Sequence, residues 1–216
     1  MTTVVCVWVQ GHVPFVPDYV RRLRSMVAKW MDRPYRFVCL TDQPWTFTEL
    51  AIETVPIPPP FKLKGWWSKV RLFDPAIALT GKVLYLDLDT LLVGPLGPIL
   101  DYPARFALAP HAGHFQPQNG LAVVRRFNSS VMTWHAGEQT ALWSNWTPEV
   151  AARRWGDQDW IGEQAPASTV ALPAAWFPRL SEAQPPWSKM AKVVLCKKPK
   201  NVEAAVKWPW FREAWQ

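Results

Sequence analysis

Lys82-Val83-Leu84-Tyr85-Leu86-Asp87-Leu88-Asp89-Thr90-Leu91-Leu92-Val93 is an apolar run interrupted by two acids two positions apart. Val83 to Leu86 reads as a buried strand. An ionised carboxylate within such a strand costs several kcal/mol unless it is paired or bound to a cation, so the acids fall at the strand's carboxyl end. Open α/β sheets hold their ligands at that end. Alternation along an extended chain turns Asp87 and Asp89 to one side, where both approach a single hard divalent ion carrying phosphate oxygens. Mg²⁺ or Mn²⁺ suits such a pair; zinc would call for imidazole or thiolate. A bare D-x-D also arises by chance, as a strand end and turn, so the surrounding sequence decides its meaning.

Upstream, Val4 to Val9 reads as a first strand. Between Asp18 and Met31, Val20, Leu23, Val27 and Trp30 recur at helical spacing, and Tyr35 to Leu40 is a second strand ending in Thr41-Asp42. The chain therefore opens β-α-β, which predicts a parallel pair. A further strand is expected within Leu50 to Ile57, before Pro58-Pro59-Pro60. Trp66, Val70 and Phe73 then mark a helix that Pro75 ends. Downstream, Arg105 to Pro110 and Gly120 to Arg126 read as strands separated by a polar loop. Ser129 to Thr140 and Pro148 to Trp155 read as helical, Gly156 to Trp160 as a loop, Lys192 to Cys196 as a last strand, and Val202 to Trp208 as a short helix. The expected fold is α/β, a mixed and mostly parallel central sheet flanked by helices. No repeat or linker divides it, so residues 1–216 are expected to form one domain.

With 216 residues, 49% of them hydrophobic, the chain can bury a full core. No apolar run approaches the roughly 20 residues of a membrane span, and the first strand lacks the basic flank of a leader. A soluble, cytoplasmic protein is expected. The odd, widely spaced Cys6, Cys39 and Cys196 read as free thiols. A net charge of +7 and a pI near 9.5 favour anionic ligands such as nucleotide diphosphates or nucleic acids. Fifteen tryptophans supply aromatic faces for cores, sugars or bases.

Several segments in order resemble the GT-A glycosyltransferases, near glycosyltransferase family 8, the glycogenin and lipopolysaccharide-galactosyltransferase group. Trp67-x-Lys69-x-x-x-Phe73 and the Asp87/Asp89 strand look like that family's helix and D-x-D strand. Asn119-Gly120-Leu121-Ala122-Val123 is similar to its N-[S/T]-G strand, one residue shorter. Gly156-Asp157-Gln158-Asp159 is similar to its D-Q segment, and Val193 to Lys200 resembles its closing segment. The resemblance implies a metal-dependent transfer of a sugar from a nucleotide-sugar donor, with UDP the expected carrier, to a hydroxyl acceptor, with retention of configuration.

By the same resemblance, Asp87 and Asp89 would hold Mn²⁺ or Mg²⁺ against the donor diphosphate. Asp42 would lie near the base, and Lys69 and Asn119 in the donor site. Asp157 or Gln158 would sit by the anomeric carbon, and Lys198 and Lys200 by the leaving diphosphate. The closing motif departs from the family at one position: Cys196 stands where a metal-binding histidine belongs, and a soft thiolate suits a hard ion badly. His111 and His114 are left outside the site.

Each residue also has a plain structural reading. Asp42 caps a turn, Lys69 is a solvated helix residue, Asp157 and Asp159 pair with Arg153 or Arg154, and Lys197 to Lys200 is a solvated basic run. Other functions stay open as well. Hydroxymethylated DNA is an acceptor the charge admits, and its binding would weaken steeply with salt. A non-enzymatic basic nucleic-acid-binding module would need only the charge and the aromatics. A haloacid-dehalogenase-like phosphatase would carry its D-x-D on the first strand, which this chain does not.

Overall fold

The computed structural model describes residues 1–11, 15–48, 51–57, 63, 65–111, 126–181, 183, 185–196 and 198–216. Among the described residues nine strands order the fold: β1 (Thr2–Trp8), β2 (Tyr35–Thr41), β3 (Glu53–Pro56), β4 (Lys82–Leu86), β5 (Thr90–Leu92), β6 (Phe106–Pro110), β7 (Phe127–His135), β8 (Val170–Ala171) and β9 (Val193–Leu195). Seven of them form a central sheet in the order β3-β2-β1-β4-β7-β6-β8, and β5 pairs with β9 in a separate antiparallel ribbon. Neighbours are parallel from β3 through β4, antiparallel on both sides of β7, and parallel again between β6 and β8. The expected mixed, mostly parallel sheet is what forms.

Alternation explains how both sheet faces are filled. Val4, Cys6, Leu84 and Leu86 enter one core, with the helix Pro17–Trp30 contributing Val20, Leu23 and Val27; Val5, Val83 and Tyr85 enter the other, with Phe73, Phe106 and Trp134. The three cysteines are free and buried. Among the described residues no helix is long and apolar enough to cross a membrane.

The chain runs outward from β1 to β2 and β3, then returns to place β4 on the other side of β1. The strand order therefore reverses between β1 and β4, and a crevice opens beyond their carboxyl ends.

Three expectations need correction. Ser129 to Thr140 is not helical: residues up to His135 belong to β7, which is hydrogen-bonded to β4 and β6 and largely buried, so no polar alternation marks it as a strand. The segment around Trp66 and Val70 is a 3-10 helix, Gly65–Phe73, and Trp67 to Phe73 are all buried, Lys69 and Arg71 included. Asp157 opens an α-helix, Asp157–Gln164, whose first turn carries two acids that complement its dipole. The expected strand Gly120 to Arg126 lies, except for Arg126, outside the described residues.

Trp134 is 1% exposed and packs its ring 5.1 Å from Phe73. Trp134→Ala is expected to cost about 3–5 kcal/mol. At about 2–4 °C per kcal/mol the melting temperature drops by at least about 6 °C, which calorimetry would measure.

Candidate active site

β4 ends at Leu86, and Asp87 to Asp89 form a turn rather than further strand. The Thr90 hydroxyl closes this turn by donating to the Asp87 carbonyl at 2.7 Å, while the Asp87 N–H donates to the Ser130 carbonyl of β7 at 2.8 Å. Both acids still face one crevice, a cavity of about 630 Å³, but a turn brings them there and not the alternation expected of extended chain. The ends of β1 (Val7, Trp8) and β4 border this cavity, as the reversal in strand order requires.

Lys69 is the electrostatic centre of the site. Its ammonium, on a side chain 6% exposed, lies 2.8 Å from Asp157 Oδ2 and 3.1 Å from Asp87 Oδ1, and donates to Ser129 Oγ at 3.1 Å. Ser129 Oγ donates in turn to Asp157 Oδ2 at 2.7 Å, and the Tyr85 hydroxyl donates to Asp87 Oδ1. Burial works against the charge on Lys69, but the attractions of Asp157 and Asp87 outweigh it and hold its pKa above the ordinary lysine range. Burial, reinforced by Asp87, pushes the Tyr85 phenol well up, so it remains a donor.

Asp89 stands outside these bonds. Its side chain is 7% exposed, and burial together with repulsion from Asp87 pushes its carboxyl up to about 7. Here is a carboxylate in want of a positive charge. Cys196 lies beside it through the β5–β9 ribbon, its N–H donating to the Asp89 carbonyl at 3.3 Å. Its thiol is buried and does not line the cavity, and burial together with Asp89 raises its pKa. Among the described residues no three histidine, cysteine or acidic side chains gather into a metal-binding group.

Of the residues picked from sequence, Lys69, Asp87, Asp89, Asp157, Gln158, Lys198 and Lys200 all line this one cavity. Asp42 does not; it accepts from the Gln10 N–H at 2.9 Å and ties the end of β2 to the chain leaving β1. Asn119 lies outside the described residues. The plain readings of Lys69 and Asp157 fall away, since the two pair with each other and Arg154 pairs with Glu163 instead. Sequence reasoning missed Tyr85, Ser129 and Trp66. The first two follow from β7 and β4 lying side by side, and Trp66 could have been found as the residue immediately before the Trp67-x-Lys69 motif.

No protein-family model matches the chain, and comparison with curated proteins finds no match. Solved structures do match. The fold is similar to the galactosyltransferase LgtC, determined with donor and acceptor sugar analogues, at a TM-score of 0.68 and 14% identity, covering 99% of this chain and 95% of that one. It is also similar to the glycosyltransferase GlyE of Streptococcus pneumoniae TIGR4, at a TM-score of 0.56 and 15% identity, covering 82% of this chain and 47% of that one. For the bifunctional glycosyltransferase WbbM the values are 0.58 and 13%, covering 99% of this chain and 51% of that one. The fold is GT-A-like. Within this GT-A-like fold, β4 is the strand that presents Asp87 and Asp89, and the helix from Asp157 faces it across Lys69.

Asp89 generates a prediction whose sign follows from its pKa. Unfolded, its carboxyl titrates near an ordinary value of about 4; folded, it titrates at about 7. Between those values the folded state holds the extra proton, so stability without divalent ions falls as pH rises through that window. Asp89→Asn is expected to remove this fall and to melt several degrees above the parent at pH 8, but not at pH 4. Lys69→Met leaves Asp87 and Asp157 without their cation and is expected to cost about 3 kcal/mol or more. Thermal melts across pH would check both.

Proposed function

We propose that this protein is a glycosyltransferase that moves a sugar from a nucleotide-sugar donor, UDP-linked by expectation, to a hydroxyl acceptor, using Mn²⁺ or Mg²⁺. The observation that carries the reading is the convergence, in one crevice at a strand-order reversal, of two carboxylates, a buried Lys69–Asp157 pair and two exposed lysines.

Asp87 and Asp89 are the residues that would hold the ion. They offer hard oxygen donors, and burial, with repulsion from Asp87 second, disfavours the ionised form of Asp89, a cost that a bound cation would offset. Two carboxylates leave ligand positions for donor oxygens or water. When bound, the ion supplies charge neutralisation for the diphosphate.

The remaining work falls to the chain. Departure of a nucleoside diphosphate develops negative charge, which the ammonium groups of Lys198 and Lys200 are suited to stabilise from the far segment of the cavity wall. Lys69 holds Asp87 and Asp157 in fixed positions, so neither must reorganise as charge moves. Asp157, 5% exposed, and the half-buried Gln158 would stand beside the anomeric carbon, one as a fixed anion and the other as a neutral amide. Asp42 would anchor the loop near the base, and Asn119 would approach the donor sugar. Retention of configuration is the expected outcome.

Thermal unfolding with UDP, UDP-glucose, UDP-galactose and GDP-mannose, each with and without Mn²⁺, tests the reading. Donor at about one hundred times its Kd adds about 2.7 kcal/mol, a rise of about 5–10 °C. The rise should require Mn²⁺ and vanish in Asp87→Asn. If no nucleotide moves the melt under either condition, the donor-site reading fails.

A further inference from the structure

Trp66 lines the cavity yet is 54% exposed, while the seven residues that follow it are buried. Its indole is firmly seated. It lies against Gly156 so closely that an added Cβ there would fall 2.4 Å from Nε1 and 2.9 Å from Cδ1. Gly156 has a φ of 176°, extended backbone that any residue adopts, so what a side chain there would meet is the indole, which would have to move. That seat immediately precedes Asp157 and Gln158, both in the cavity wall. On the other side of Gly156 in sequence, Trp155 is 58% exposed. Two exposed indoles thus flank the start of the helix that carries the reacting end of the proposed site.

We propose that Trp66, seated on Gly156, is the stacking wall of the acceptor subsite, and that the acceptor ring it takes is a neutral saccharide. A pyranose ring offers an apolar C–H face and an edge of hydroxyls. The indole matches the face, and the Gln158 amide can exchange hydrogen bonds with the edge. Large apolar area beside polar groups at the mouth of a cavity is the composition of a binding surface rather than of a bare exterior. Beside Gly156, Arg154 is engaged by Glu163 at 2.6 Å and lies over the Trp160 ring, while the exposed Lys198 and Lys200 line the same cavity, so titration with DNA as well as saccharides decides between a neutral ring and a polyanion. The acceptor role rests on the transferase reading above; the binding of the ring does not.

Tryptophan-labelled protein titrated with lactose, maltose, cellobiose and chitobiose, and separately with single-stranded DNA containing hydroxymethylcytosine, tests this by following indole N–H resonances. Trp66→Phe identifies the Trp66 signal. At least one disaccharide should move that signal saturably, and Trp66→Ala should weaken its binding about tenfold. Gly156→Ala, which keeps the indole but displaces it, should weaken the same disaccharide without deleting the signal. Both variants should retain the Mn²⁺-dependent nucleotide shift. The inference is overturned if no disaccharide moves the Trp66 signal, if Trp66→Ala leaves binding unchanged, or if only the DNA moves it. A nucleotide shift without saccharide binding sinks this inference alone. Saccharide binding at Trp66 with no nucleotide shift supports it and sinks the transferase reading.

Discussion

A buried ammonium group has to find acceptors on every side, because losing its water costs several kcal/mol that one partner seldom returns. Lys69 meets that demand with Asp87 from the end of β4, Ser129 from β7 and Asp157 from the helix that follows Gly156. Its own segment is the 3-10 helix Gly65–Phe73. Four pieces of chain far apart in sequence are therefore held to one nitrogen atom. The Tyr85 phenol and the Ser129 hydroxyl occupy further acceptor positions on the two carboxylates, which fixes the direction in which each acid can still accept.

That arrangement divides the three acids by role. Asp87 and Asp157 pair with Lys69 directly, whereas Asp89, two residues after Asp87, makes no ion pair among the described residues and feels Lys69 only at longer range. A site that keeps one charge uncompensated is less stable empty than it could be, the familiar exchange of stability for function.

Much of this could be read from residues alone, and the failures are instructive. The β-α-β opening and the Asp87/Asp89 strand were legible because apolar runs, helical spacing and the placement of acids at a strand end follow from burial. Lys69 was ambiguous because no local pattern distinguishes a solvated lysine from one that finds two acids, 18 and 88 residues on, waiting in the folded state. β7 was misread since a strand buried on both faces loses its alternation, and Ser129 went unnoticed with it. Gly156 was read as part of a loop motif; only the position of the Trp66 indole gives its missing side chain a reason. Cys196 sits beside Asp89, as its place in the motif order suggested, with its side chain buried in the core.

The β5–β9 ribbon has a consequence in time. Residues 90–92 can find their partner only after residues 193–195 exist, a separation of about one hundred positions that folding must close late. The seven-stranded sheet draws on strands between residues 2 and 171, so it can be complete before the chain beyond it has docked. A nascent chain at that stage would expose Asp87 and Asp89 without the lysines that complete the cavity wall. The wall that Lys198 and Lys200 contribute is thus joined to the sheet through the β5–β9 pairing, and a chain lacking β9 would have no ribbon to hold that wall in place.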